Sequence, residues 1–133
     1  MKSANYFATF ILAAADCPAA AGLEPHKPGS IAREQFLLLR ESPSFSTSDD
    51  LLFEVHARRA GVVPDERMAA RATFFVKPKA CLRASPLVKS FGWGLHHDDK
   101  GRVAAYGVES EDYRRLAALP SLEIVPGMRN RRV

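Results

Sequence analysis

Cysteine is scarce in this chain of 133 residues: there are two, Cys17 and Cys81, far apart in sequence. Two cysteines make no disulfide framework, so reduced thiols are expected. Neither stands in a Cys-x-x-Cys pair, and none of His26, His56, His96 and His97 stands in a His-Glu-x-x-His run. Ligand spacing therefore points to no metal site, and no cofactor is expected. No repeat, heptad or low-complexity tract is present. No window supplies the roughly 20 apolar residues of a membrane span. Charge of one sign is not concentrated either: 19 basic and 15 acidic residues, net +4, are mixed along the chain. Nucleic-acid modules gather basic charge on one face. Here the dense basic cluster is Arg129, Arg131 and Arg132, which reads as a frayed terminus spanning about 127–133. Neither nucleic acid nor a membrane is an expected partner.

The apolar run Phe7 to Ala15 superficially resembles an export signal. Only one lysine precedes it, Asn5 and Tyr6 stand just before it and Thr9 within it, and Asp16 stands before Cys17 where a lipoprotein site needs a small neutral residue. A soluble, cytoplasmic protein is the expectation. A 47% hydrophobic content in 133 residues suits one domain over 1–133 that buries roughly two thirds of its unfolded surface.

The local signals describe an α+β fold: a small mixed sheet with a C-terminal β-hairpin and crossover helix, and helices packed on one face. Thr9 to Ala15 reads as a strand stopped by Pro18, and the Pro- and Gly-rich stretch Ala19 to Gly29 as a loop. Ser30 caps a helix from Ile31 to about Ser42 that Pro43 ends, although Phe36-Leu37-Leu38-Leu39 reads equally as a buried strand. Thr47-Ser48-Asp49-Asp50 has the form of a capping box, which makes Asp49 and Asp50 helix-start residues rather than paired catalytic acids. That helix runs to Arg59, with Gly61 as its C-terminal cap. A third helix follows Pro64, with Met68, Ala72 and Phe75 on its packed face.

Ser85-Pro86 caps a single helical turn. Gly92 to His97 and Arg102 to Val108 form a hairpin around the turn Asp98-Asp99-Lys100-Gly101. In that register Gly94 lies opposite Tyr106, whose ring can cover the bare glycine, and His96 lies opposite Ala104. Ser110-Glu111-Asp112 opens a last helix. Leu122 to Val125 is a closing strand, reached by a crossover onto a parallel neighbour.

The candidate chemistry gathers near the hairpin. Neighbouring side chains of a strand point to opposite faces, so His96 and His97 cannot both line one site. Trp93, Leu95 and His97 form the apolar, covered face, and His96 with Tyr106 the open one. His96 is a candidate acid or base and Tyr106 a candidate donor. Arg83, Ser85 and His97 are candidate ligand-binding residues, Arg83 as an anion clamp. Cys81, near a helix start and Arg83, is a candidate reactive thiol. Familiar motifs fail at named positions: Leu87 stands where a cysteine phosphate loop needs arginine, Lys89 is one residue too far from Ser85 for a Ser-x-x-Lys pair, and His97 replaces the last glycine of a dinucleotide fingerprint. His56 and Trp93 read as core residues. Three functions remain open: a small polar or anionic ligand beside the 92–108 hairpin, with or without turnover; a non-catalytic interaction or homodimerisation module; and weak nucleic-acid binding.

Several runs carry a resemblance. They are Asp16-Cys17-Pro18, Thr47-Ser48-Asp49-Asp50 with Leu52-Phe53 and Val55-His56, Cys81 to Leu87, Phe91 to Asp98, and Tyr106 to Ser110. Together they resemble a family of small microbial proteins described as domain of unknown function 6157, from about Asn5 to Arg131. The resemblance implies a complete single-domain chain whose N-terminal segment belongs to the family pattern. It brings no substrate, cofactor or catalytic residue with it.

Overall fold

A computed structural model describes residues 4–42 and 45–131. In chain order the elements are β1 (Thr9–Leu12), α1 (Ile31–Glu41), α2 (Ser48–Ala60), α3 (Arg67–Phe74), α4 (Pro86–Ser90), β2 (Trp93–His97), β3 (Val103–Gly107), α5 (Glu111–Ala117) and β4 (Glu123–Pro126). Short 3-10 turns precede α3 and α4, at Pro64–Glu66 and Leu82–Ala84.

Side-chain caps set the helix starts. The Ser30 hydroxyl accepts from Arg33 N, which decides for helix over strand in the leucine-rich stretch. The buried positions Ala32, Gln35, Leu38 and Leu39 then fall on one helical stripe. Thr47 and Asp50 form the reciprocal capping box of α2, and Gly61 closes that helix at φ 66°, a left-handed position where a side chain would be strained. Ser42 N–H closes α1 onto Leu38 O. The expected stop at Pro43 lies outside the described residues.

The sheet order is β3-β2-β1-β4, with β1–β2 and β2–β3 antiparallel and β1–β4 parallel. The crossover through α5 therefore joins the two edge strands, and β4 gains its parallel neighbour in β1. Helices α1, α2 and α4 pack on one face, where Ile11, Leu95 and Val103 meet Leu38, Leu39, Leu51, Val55, Leu87 and Val88. The crossover helix α5 covers part of the other face, setting Tyr113 edge-on to Phe10, with ring centroids 5.1 Å apart. The α+β class and mixed sheet are as expected. Both sheet edges are guarded. Phe45 pairs with Val103 on the β3 side, and Pro126, which has no N–H, closes the β4 side with its carbonyl held by Arg83 Nε.

Three local expectations change. Met68 is 88% exposed and Ala72 is also exposed, so they do not face the core. Instead Arg67 and Arg71 lie over the Phe53 ring and pair with Glu54 and Asp50, while Phe74 and Phe75 pack inward. The two guanidiniums gain both a carboxylate and a ring face on that side, which turns the methionine outward. His56 does not enter the core; it stacks on Phe74 at 4.6 Å. The segment read as a frayed end is tied down to Arg131: Gly127 N–H donates to Leu12 O, Met128 N–H to Arg83 O, and the Asn130 and Arg131 N–H groups to the Asp16 carboxylate. Among the described residues, no helix is long and apolar enough to cross a membrane.

Candidate functional site

The hairpin has the register expected from its turn: Gly94 faces Tyr106 and His96 faces Ala104. Asp98 builds the turn by accepting Lys100 N–H and Arg102 N–H on Oδ1 and Arg102 Nε on Oδ2, while Gly101 adopts φ 83°. His96 and Tyr106 share a face, their rings 6.4 Å apart and edge-on. This face is less open than expected, because α5 lies on it and His96 is half-buried. Burial lowers the His96 pKa, Asp98 acts to raise it, and Arg115 lowers it further. The ring that covers Gly94 is not Tyr106. A Cβ at Gly94 would meet Phe10 and Tyr113, both at 2.6 Å, so β1 and α5 supply the cover.

One residue further on, His97 is wholly buried on the opposite face. Its Nε2 lies 3.0 Å from the equally buried Ser48 Oγ at the start of α2. Its Nδ1 makes no hydrogen bond of good geometry among the described residues, although the Leu95 and Thr9 backbones lie close enough to favour a proton. Burial dominates, and the pKa falls to about 4. The ring is therefore neutral near pH 7. It is sealed from any ligand that does not first open the sheet–α2 contact.

Against His97 packs Tyr6, its ring centroid 5.2 Å away. The segment before β1 is laid across the start of α2 by two bonds, Ala4 N–H to Asp49 Oδ1 and Asp49 N–H to Asn5 Oδ1. That placement carries the Tyr6 hydroxyl to Cys81, where it donates to Sγ at 3.0 Å. Burial first, and then the contact with Cys81, push the Tyr6 pKa up to about 12, so the phenol keeps its proton and remains a donor. The charges of Arg83 and Glu123 act on the same phenol with opposite signs. Arg83 Nε donates to Pro126 O at 2.7 Å. Its two terminal nitrogens make no hydrogen bond or ion pair among the described residues.

The candidate residues thus separate into three places. Cys81, Arg83 and, beneath them, His97 come together through Tyr6. His96 and Tyr106 stand on the other side of the sheet. Ser85 is buried between α1 and α4, donating to Gln35 Oε1 at 2.6 Å and accepting from Leu87 N–H, as a cap and a core hydrogen bond. Arg83, Ser85, His96 and Tyr106 do not converge on one pocket. These four side chains are absent from the lining of five open surface hollows formed by described residues. No three His, Cys, Asp or Glu side chains among the described residues are placed to hold a metal ion.

Sequence reasoning missed Tyr6, Glu123 and Ser48. Ser48 was visible only as part of a capping motif. Tyr6 and Cys81 are 75 positions apart, and no local pattern announces such a contact.

No curated protein and no solved structure matches the chain. Residues 1–133 match the family described as Family of unknown function (DUF6157). That match spans the hairpin, the capping box and the Cys81–Arg83 segment alike. The chain is a member of that family.

Proposed function

We propose that the protein binds a small anionic ligand at the Tyr6–Cys81–Arg83 cluster and that the Cys81 thiol is the group able to react with it. The observation that carries this reading is the Tyr6 hydroxyl donating to Cys81 Sγ, two residues from Arg83, whose terminal nitrogens are engaged by none of the described residues. Each group has a distinct role. Arg83 offers a planar fork to a carboxylate or phosphate. Cys81 is half-buried, and it is a nucleophile in its thiolate form. Tyr6 stays protonated and holds a donor on the sulfur. His97 and Ser48 support Tyr6 from below and are too deep to touch a ligand.

An interaction module working through an exposed edge strand draws less support, because Phe45 guards one edge and Pro126 with Arg83 the other. Binding to nucleic acid draws less still. Arg33, Arg58, Arg67, Arg71 and Arg102 are dispersed over the surface, each beside a carboxylate.

The test uses Cys17 as an internal control. Iodoacetate carries a carboxylate and iodoacetamide does not. In both reactions the thiolate sulfur forms the new S–C bond, iodide leaves, and the thiol proton goes to solvent. Peptide mass spectrometry gives the alkylation rate at each cysteine. Cys81 should favour iodoacetate over iodoacetamide relative to Cys17, by roughly three- to fivefold for one partly exposed charge pair. Arg83→Gln should erase that preference, and Tyr6→Phe should change the rate at Cys81 without changing it at Cys17. The same reagent preference at both cysteines, unaltered by Arg83→Gln, sinks the proposal.

A further inference from the structure

A different part of the molecule carries a second site. Helix α1 presents Phe36, Leu39 and Arg40 along one stripe. Beneath that stripe Leu87 of α4, Trp93 of β2 and Ala105 of β3 complete a hollow of about 380 Å3. Leu39 and Leu87 form its buried floor, and Phe36, Trp93 and Ala105 remain only half-buried. The hollow therefore offers apolar surface that the fold leaves partly uncovered. The Phe36 and Trp93 rings pack on each other, centroids 5.7 Å apart at 58°, and together make one aromatic side of the hollow. The Trp93 wall is fixed. Its Nε1 donates to Leu23 O at 2.8 Å, and Gly22 approaches so closely that a Cβ there would meet the indole at 2.9 Å.

The rim has one charged group, Arg40. Its guanidinium lies over the Phe36 ring at 5.4 Å, and its nearest carboxylate is Glu24 at 3.6 Å. Glu24 is already held by Arg33, which bonds the other carboxylate oxygen, Oε2. Two arginines thus share one carboxylate, leaving a positive charge at the mouth of an apolar cleft. Pockets of this size, with apolar walls and a single polar anchor, are the usual form of small-ligand sites.

We infer that this hollow binds a small, flat, apolar molecule carrying one anionic group, with its ring system on the Leu39–Leu87 floor beside Phe36 and Trp93 and the anion on Arg40. The site is separate from the thiol cluster and does not depend on it. It also gives a use to a residue read from the sequence simply as core: Trp93 packs against the core and at the same time lines this hollow.

Trp93 is the sole tryptophan, so its indole N–H gives a single nitrogen–proton NMR resonance to follow in the full chain. The probes are 2-naphthoate and its neutral counterpart 2-naphthalenemethanol. Naphthoate should shift the indole resonance saturably, and more tightly than the alcohol. Arg40→Gln, an exposed substitution, should weaken naphthoate by roughly three- to fivefold and leave the alcohol unchanged. Ala105→Leu should block both probes by filling the cleft, and the rest of its spectrum reports whether it folds. Equal affinity for the two probes, or an Arg40→Gln variant that binds naphthoate as the parent does, overturns the anionic class. No saturable shift with either probe overturns the site.

Discussion

His96 and His97 are neighbours in one strand and live in different solvents. The Trp93, Leu95 and His97 side of β2 is roofed by α1, α2 and α4, and Leu95 and His97 have no exposed surface. Among the described helices α5 lies on the Gly94 and His96 side, and His96 is half-buried. The same imidazole is therefore driven to about pKa 4 on one side and lowered less far on the other. Alternation along a strand assigns the two faces; the number and depth of helices on each face assigns the chemistry.

The comparison breaks most visibly under truncation. Leu95→Ala removes a fully buried side chain from the densely roofed face, at a cost of about 2–5 kcal/mol. Tyr106→Ala on the other face should cost less, and urea unfolding of both variants measures the gap. A Tyr106 variant as damaged as the Leu95 variant would contradict the asymmetry.

A smaller effect comes from pH. The folded pKa of His97 lies below that of the unfolded chain, so the unfolded chain takes up the proton first as pH falls. The stability held above the unfolded value of 6.5 is lost on the way down to about 4. The expected loss is ~2–3 kcal/mol over that window. His96 contributes with the same sign and less weight. Asp50 and Asp98 are held below the ordinary carboxylate range despite burial, Asp50 by the Ser46 side chain, the Thr47 backbone and Arg71, and Asp98 by the Arg102 and Lys100 backbone and the Arg102 side chain, so their losses come at lower pH still. Unfolding midpoints across this range should be nearly flat in His97→Gln and still sloped in His96→Gln. An NMR titration that finds the His97 ring protonating near its ordinary value would remove the effect at its source.

The smallest change tests the thinly roofed face. In Gly94→Ala the new methyl must push back Phe10 and Tyr113, for about 1–2 kcal/mol, read by calorimetry. An unchanged melting temperature would mean that α5 floats on the sheet rather than packing on it.

Much of the fold was legible in the chain because its signals are local. Ser30, Thr47, Ser85 and Ser110 each mark a helix start through a side chain that reaches its own backbone within three residues. Asp98 and Gly101 set the hairpin register, and with it the partners of Gly94 and His96. The outward face of α3 was misjudged because the preference of Arg67 and Arg71 for Phe53 depends on a second helix. The candidate site was legible only in part. Cys81, Arg83 and His97 carried chemical interest of their own, whereas Tyr6, which joins them, stands in an unremarkable N-terminal run.

The amino-acid order by itself determined where helices begin, where the chain reverses, and that adjacent histidines must part company. Those outcomes need only contacts a few residues long. The tertiary structure alone decided how deeply His97 is sealed, which cysteine meets a phenol, and that the tryptophan lines a surface hollow. Each of these depends on segments tens of residues apart being brought together by burial, which carries no local signature.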